Sequence, residues 1–236
     1  MNIIPNFSPN FSIKQRKTKD IKFIIFHYTG MQSEIESIKR LKDPRAKVSC
    51  HYFISRKGEI TQMVEEKKIA WHAGRSRWKK FNNLNNKSIG IELVNKGHRF
   101  GYQKFTKKQI KSLIFLCKKL KKRYKIKSEN FLGHSDIAPL RKTDPGEKFP
   151  WKVLSKKGLG KWYRSRSLKF KIGKKNLRKA FFNNLKKIGY GYFSINKKNV
   201  GDTKIIKSFQ QRYLPKSITG KINQKTYEIS HFVFVA

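Results

Sequence analysis

Residues 21–28 read IKFIIFHY, and this stretch decides the fold that the sequence predicts. Phe23 to Phe26 form an unbroken apolar run, which is typical of a strand that is covered on both faces. His27 follows directly at the end of this run. Because such strands occur in sheets with helices on either side, we expect a buried central strand that carries His27 to one edge of the sheet.

The sequence predicts two helices, one before and one after the stretches at 51–64 and 88–95. Residues 33–41 favour a helix, because 33–36 have the Ser-x-x-Glu spacing of a capping box and the apolar positions share one face. Residues 106–124 give the clearest helical pattern, with a Thr-x-x-Gln capping box at 106–109. We expect both helices to cover the sheet.

Three further stretches predict strands. Residues 51–64 contain two short apolar runs around a glycine break, which indicates a hairpin. The stretch 88–95, SIGIELVN, alternates in the manner of a strand and places Glu92 between two apolar residues. Residues 131–134 predict a short strand that ends in His134. Together these elements predict an α/β fold, with a central mixed β-sheet flanked by helices.

The composition changes after Trp162. Helical spacing resumes beyond a basic stretch, Gly189 is a natural helix end, and Asp202 and Asn223 are candidate helix caps. This pattern predicts a small C-terminal three-helix domain. The predicted divisions are an N-terminal extension at 1–20, the α/β domain at 21–162, a basic linker at 163–175 and the helical domain at 176–236.

The chain carries a large positive charge. Of its 236 residues, 57 are Lys or Arg and 14 are Asp or Glu, giving a formal net charge of +43. A lysine-rich composition with no special role is one explanation, and an anionic partner is the other. The basic residues are spread along the chain and no nucleic-acid motif is visible, so we expect no specific nucleic-acid partner.

Several protein classes are excluded by composition. A hydrophobic content of 37% can build a core, which argues against disorder. No apolar run approaches the ~20 residues of a transmembrane helix. Two cysteines make no disulfide framework and no CxxC zinc site. Residues 1–20 lack the apolar core of a secretory signal, so we expect either a cytosolic protein or export by a signal that the chain does not show.

Two histidines and one aspartate form a candidate metal site. His27 and His134 each end a predicted strand, and Asp144 lies in the loop that follows the second. Two imidazoles and one carboxylate, with one position left for water, are the ligands of an open catalytic zinc site. From spacing alone, hydrogen-bonded structural histidines and an ordinary Asp-Pro-Gly turn remain alternatives.

Glu92 and Lys142 are the candidate catalytic residues. A carboxylate in the middle of a buried strand is costly unless it is paired or protonated, and near a metal it is suited to act as a general base. Lys142 lies two residues before Asp144, so in an extended segment both side chains point to the same side. An ammonium there would stabilise an oxyanion. A structural ion pair of Glu92 with a lysine is the alternative.

Six segments within residues 21–162 resemble zinc-dependent N-acetylmuramoyl-L-alanine amidases, the family related to peptidoglycan recognition proteins and phage endolysins. In chain order they read IIFHYTG, SCHYFIS, IAWHAG, SIGIELVN, GHSDIAPLRKTDPG and FPW. The resemblance implies a central mixed sheet flanked by helices, with Zn²⁺ at the floor of a groove.

The resemblance also implies a complete catalytic set. The family's zinc ligands fall on His27, His134 and Asp144, its catalytic glutamate on Glu92 and its catalytic lysine on Lys142. The implied reaction is hydrolysis of the amide between the lactyl group of N-acetylmuramic acid and L-alanine, in peptidoglycan or muropeptides, for cell-wall turnover or recycling. A non-catalytic peptidoglycan-binding protein is the alternative, although such relatives typically lack part of this set.

Four more residues lie in these motifs at positions that match no ligand: His51, Trp71, His72 and Asn95. We expect them either to bind substrate or to order the walls of the groove through hydrogen bonds.

The C-terminal residues resemble a peptidoglycan-binding three-helix module. The matching segments are IIKSFQQRYLP at 205–215 and ITGKINQKTYEI at 218–229. A helical domain that merely packs on the α/β domain is the alternative. A wall-binding module implies the cell envelope or periplasm, and the cytoplasm is the alternative location.

Overall fold

A computed structural model describes residues 1–164 and 172–235, and ten strands and seven α-helices lie in these two ranges. The strands are β1 (Ile3–Pro5), β2 (Phe11–Ser12), β3 (Phe23–Tyr28), β4 (Tyr52–Ile54), β5 (Ile60–Gln62), β6 (Ile69–Ala70), β7 (Arg77–Trp78), β8 (Phe81–Asn82), β9 (Ser88–Leu93) and β10 (Phe131–Gly133). The helices are α1 (Glu34–Lys42), α2 (Lys107–Tyr124), α3 (His134–Ile137), α4 (Trp151–Ser155), α5 (Lys174–Ile188), α6 (Asp202–Tyr213) and α7 (Gln224–Val235).

Six of the strands form one mixed sheet in the order β1-β5-β4-β9-β3-β10. The hairpin β4–β5 is antiparallel, and the other neighbours in this sheet pair in parallel. The apolar run of β3 lies between β9 and β10 and is buried. The predicted mixed sheet with a covered central strand is therefore confirmed.

The two faces of the sheet have different covers. Ile24 and Phe26 pack in one apolar cluster with Leu116 of α2. Phe23 and Ile25 point the other way because side chains alternate along a strand, and their cluster includes residues of the C-terminal helices. The C-terminal contributors that are fully buried are Phe181, Phe182, Leu185, Ile205, Phe209 and Val233.

The predicted capping residues are found at three helices. The Ser33 hydroxyl accepts a hydrogen bond from the Glu36 amide, and both bonds of the capping box at 106–109 are present. The Asn223 side chain accepts from the Thr226 amide at the start of α7. Asp202 is instead the first residue of α6, and its carboxylate accepts from the Asn199 amide.

Residues 1–20, assigned to an extension by the sequence, pair with the sheet. β1 lies parallel to β5 at the edge, and the buried guanidinium of Arg16 donates to the carbonyls of Glu66, Asn85 and Ser88. Isolated apolar residues in a polar segment gave no sign of this pairing. Of the predicted linker at 163–175, residues 165–171 lie outside the described part of the chain.

None of the helices in the described ranges combines the length and the apolar character needed to cross a bilayer.

The shared apolar cluster predicts that the C-terminal helices and the sheet unfold together. Phe181→Ala removes a fully buried ring, so it should lower the free energy of unfolding by about 3–5 kcal/mol within one transition. The measurement is urea denaturation followed by tryptophan fluorescence and circular dichroism. Phe234→Ala, at a ring that is 37% exposed on α7, is the matched control and should cost far less. Two separate transitions, with that of the sheet unchanged, would contradict the shared cluster.

Candidate metal centre

The site lies where three parallel strands end at the same edge of the sheet. In the register of β3 and β9, His27 is level with Glu92, so both side chains point to the same face. In the register of β3 and β10, Phe26 is level with Gly133, so His134 follows at the level of His27. The carboxyl ends of parallel strands are where α/β folds place their sites.

The predicted ligands His27, His134 and Asp144 come together in a buried cluster. Nδ1 of His27 lies 2.9 Å from Oδ2 of Asp144 and 3.0 Å from Nδ1 of His134. Nδ1 of His134 lies 3.1 Å from the same carboxylate oxygen. Around a tetrahedral zinc ion, ligand atoms are separated by roughly 3.4 Å, so a small outward adjustment would admit the ion.

The hydrogen bonds of His134 assign its proton. Nε2 of His134 lies 3.1 Å from the carbonyl oxygen of Ala73, which can only accept. Nη2 of Arg141 is 3.3 Å from the same nitrogen, but its hydrogens have nearer acceptors in the carbonyls of Ala73 and Arg75. A neutral His134 therefore carries its proton on Nε2 and presents the lone pair of Nδ1 to the cluster.

A chain of hydrogen bonds assigns the proton of His27 in the same way. The Ser88 hydroxyl donates to the Leu84 carbonyl at 2.6 Å, so its oxygen accepts from Nε2 of His72 at 3.2 Å. Nδ1 of His72 is then an acceptor, and Nε2 of His27 donates to it at 3.0 Å. Nδ1 of His27 is left with a lone pair that faces the cluster. This is the role of the predicted residue His72.

The electrostatics favour a neutral His27 and an ionised Asp144. Burial, followed by the charge of His134, lowers the pKa of His27 to about 4. Burial opposes the ionisation of Asp144, but the positive charge that a protonated His134 or His27 would place beside it outweighs burial and holds its pKa well below the usual range. When both rings are neutral, three acceptor atoms face one point with no proton between them. A cation removes this repulsion, and two nitrogens with one carboxylate oxygen fit zinc.

Glu92 lies beside this cluster, level with His27 on the neighbouring strand. Its Oε2 atom is buried and accepts no hydrogen bond within the described residues. Burial, followed by the charge of Asp144, raises its pKa to about 8, while the charge of Lys142 acts in the opposite direction. Lys142, two residues before the ligand Asp144, is half-buried, and its charge also lowers the pKa of His27.

His51 and Asn95, two of the other predicted site residues, are buried and bond the backbone. His51 is fully buried, with Nδ1 accepting from the Gly90 amide and Nε2 lying 2.8 Å from Arg16, so it has no surface for substrate. Asn95 is also fully buried, and its side chain bonds the backbone of Gly97 and Gln103. Of the two roles that the sequence left open for His51 and Asn95, both side chains take up that of supporting the backbone through hydrogen bonds.

Trp71 is half-buried, and its indole nitrogen donates to the Ser12 hydroxyl at 2.9 Å. It therefore fastens the N-terminal segment, while part of its ring remains accessible.

The sequence did not single out a polar cluster beside the ligand loop. The Tyr28 hydroxyl lies 3.0 Å from Nδ1 of His98 and 3.1 Å from the hydroxyl of Thr143. Nε2 of His98 lies 2.9 Å from Glu147, and its ring stacks on Tyr102. The position of Tyr28 directly after His27, and of Thr143 between Lys142 and Asp144, was the only sequence signal for it.

A family model described as N-acetylmuramoyl-L-alanine amidase matches residues 17–147 of the chain. The chain belongs to this amidase family. The matched range contains His27, Glu92, His134, Lys142 and Asp144. The resemblance drawn from the sequence motifs is therefore confirmed.

Among relatives of this chain, AmiD of Escherichia coli is 42% identical over 154 residues, which cover 60% of this chain and 55% of AmiD. The chain thus matches about half the length of that relative. The 1,6-anhydro-N-acetylmuramyl-L-alanine amidase AmpD of Haemophilus influenzae is 35% identical over 162 residues, which cover 61% of this chain and 85% of AmpD.

Two solved structures share the fold of this chain along nearly its whole length. AmiD from Escherichia coli, in complex with anhydro-N-acetylmuramic acid-L-Ala-D-gamma-Glu-L-Lys, matches with a TM-score of 0.79 and 31% identity, covering 95% of this chain and 91% of that one. AmpDh3 from Pseudomonas aeruginosa, in complex with anhydromuramic pentapeptide, matches with a TM-score of 0.79 and 28% identity, covering 95% of both chains.

The raised pKa of Glu92 predicts a stability effect in the metal-free protein. The unfolded chain releases this proton near pH 4.5 and the folded chain near pH 8, so the ionisable group destabilises the fold increasingly between these values. Glu92→Gln should therefore raise the melting temperature by a few degrees at pH 8 and have no effect near pH 4. Thermal denaturation in chelator across this pH range measures it.

Glu65→Gln, at an exposed carboxylate, is the matched control for that series. The same pH dependence in both variants would contradict the special environment of Glu92.

Proposed function

We propose that this protein is a zinc-dependent N-acetylmuramoyl-L-alanine amidase that hydrolyses the amide between the lactyl group of N-acetylmuramic acid and L-alanine in peptidoglycan or muropeptides. The observation that carries the proposal is the convergence of His27, His134 and Asp144 beside the half-buried Glu92, whose buried Oε2 atom has no hydrogen-bond partner among the described residues. Family membership and the muropeptide complexes of AmiD and AmpDh3 support the substrate class.

In this proposal His27, His134 and Asp144 hold the zinc ion. When bound, zinc supplies Lewis acidity that makes water a nucleophile at neutral pH and polarises a carbonyl oxygen. The Nε2 atoms of both imidazoles are hydrogen-bonded, that of His134 to Ala73 and that of His27 to His72. The neutral rings therefore present Nδ1 to the zinc ion, as ligation requires.

Glu92 is the group that moves the proton. Burial raises the pKa of Glu92 above that of an ordinary carboxylate, so its ionised form is a base suited to take a proton from the attacking water. The resulting carboxylic acid then passes that proton to the nitrogen of L-alanine as the amide breaks. Its Oε2 atom, which has no hydrogen-bond partner among the residues that the structure describes, is the atom suited to this exchange. Lys142, half-buried nearby, stabilises the negative charge that develops on the lactyl carbonyl oxygen.

The charge of the protein suits an acidic substrate. Stem peptides carry carboxylates, and a net charge of +43 attracts them over a range that salt shortens. We propose the cell envelope as the compartment and cell-wall turnover or recycling as the role. We propose no specific nucleic-acid partner.

Glu92→Gln should reduce the turnover of an anhydro-muropeptide by about 10²- to 10⁴-fold, because the amide side chain cannot take the proton. Mass spectrometry of the released peptide at saturating zinc measures this, with Glu65→Gln as the control. Turnover near that of the wild type would refute the role of Glu92. Product formation by the wild type, abolished by a chelator, separates an enzyme from a non-catalytic peptidoglycan-binding protein.

His27→Ala should remove the zinc, because it deletes one of three protein ligands. Metal analysis after gel filtration should find one zinc per chain in the wild type and in His231→Ala, a control on α7. A full equivalent of zinc in His27→Ala would contradict the assigned ligands.

A further inference from the structure

The ligand His134 begins a helix that is too short to hold itself. α3 has only four residues, and all four are buried. Isolated helices of this length are unstable, so the surroundings of α3 decide where the imidazole of His134 lies.

Asp136, two residues after His134, is the centre of these surroundings. Its buried carboxylate accepts from the Gly133 amide at 2.8 Å and from the hydroxyl of Tyr190 at 2.6 Å. It also accepts from the guanidinium of Arg212. A buried carboxylate that loses such partners is left uncompensated, so these bonds bind α3 firmly to the residues that provide them.

Two of these partners belong to the C-terminal helical region, and α6 adds a third contact. Arg212 lies over the ring of Trp151 at 3.8 Å and donates to the Phe131 carbonyl at 3.2 Å. Ser208, one turn earlier on α6, donates to the Ser135 carbonyl at 2.7 Å. Ser208 and Arg212 are four residues apart, so they lie on the same face of α6. Their hydrogen bonds hold the backbone on both sides of His134.

We propose that the C-terminal helices are part of the metal centre, with Tyr190, Ser208 and Arg212 as positioning residues. They hold Ser135 and Asp136, and through them they fix the Nδ1 atom of His134 opposite His27 and Asp144. The inference rests on the proposed zinc site. It gives the C-terminal region a role that does not require it to bind the cell wall.

The test is zinc affinity in the full-length protein. Tyr190→Phe and Ser208→Ala each remove one hydroxyl that reaches α3 while keeping most of the packing. Each should weaken zinc binding several-fold, and the double variant should weaken it about tenfold or more. Competition against a chromophoric chelator measures the dissociation constant without any use of activity.

The matched controls are Tyr227→Phe and Ser230→Ala. Both residues are buried on α7, and among the described residues the Ser230 hydroxyl bonds Tyr227 and Asn184 while the Tyr227 hydroxyl has no hydrogen bond. A merely structural role would lower the melting temperature of metal-free and zinc-loaded protein alike. The positioning role predicts that added zinc raises the melting temperature less in the double variant than in the controls.

Zinc affinities of Tyr190→Phe, Ser208→Ala and the double variant equal to those of the controls would overturn the inference while leaving the zinc site itself in place. A wild type that binds no zinc would overturn the proposed function, and this inference with it.

Discussion

The structure depends on the close approach of three atoms that can each accept a hydrogen bond or bind a metal ion. Nδ1 of His27, Nδ1 of His134 and Oδ2 of Asp144 lie within 3.1 Å of one another, and the hydrogen bonds around neutral rings leave no proton to share among them. Such an arrangement is unfavourable in a buried site unless a cation lies between the atoms. The outer nitrogen of His134 is held by the Ala73 carbonyl, and that of His27 is held through His72 and Ser88 by the Leu84 carbonyl. The site is therefore organised before any metal arrives.

The fold supplies this rigidity from both faces of one sheet. β3 and β9 place His27 and Glu92 side by side, α2 covers one face, and the C-terminal helices share the apolar cluster of the other. The contacts of α6 with α3 lie directly behind His134. In this arrangement the helices that resemble a wall-binding module also support the site, through the contacts of α6 with α3 and the shared apolar cluster.

Local patterns in the sequence predicted the parts that depend on local forces. The apolar run of β3, the alternation of β9 and the capping boxes of α1 and α2 each depend only on residues that are close in the sequence. The five residues of the proposed centre were found from strand ends and motif order. The supporting contacts were not, because His72 reaches His27 across 45 residues and Arg212 reaches Asp136 across 76. Only the tertiary fold brings such partners together, so the sequence alone leaves open whether His51 and Asn95 bind substrate or support the backbone.

The most direct test of this account is a crystal structure of the zinc-loaded protein with anomalous diffraction recorded at the zinc absorption edge. The account predicts one strong peak bonded to Nδ1 of His27, Nδ1 of His134 and a carboxylate oxygen of Asp144, with the His27–His72–Ser88 hydrogen bonds intact. A peak at another place, or zinc bound through Nε2 of either ring, would contradict it.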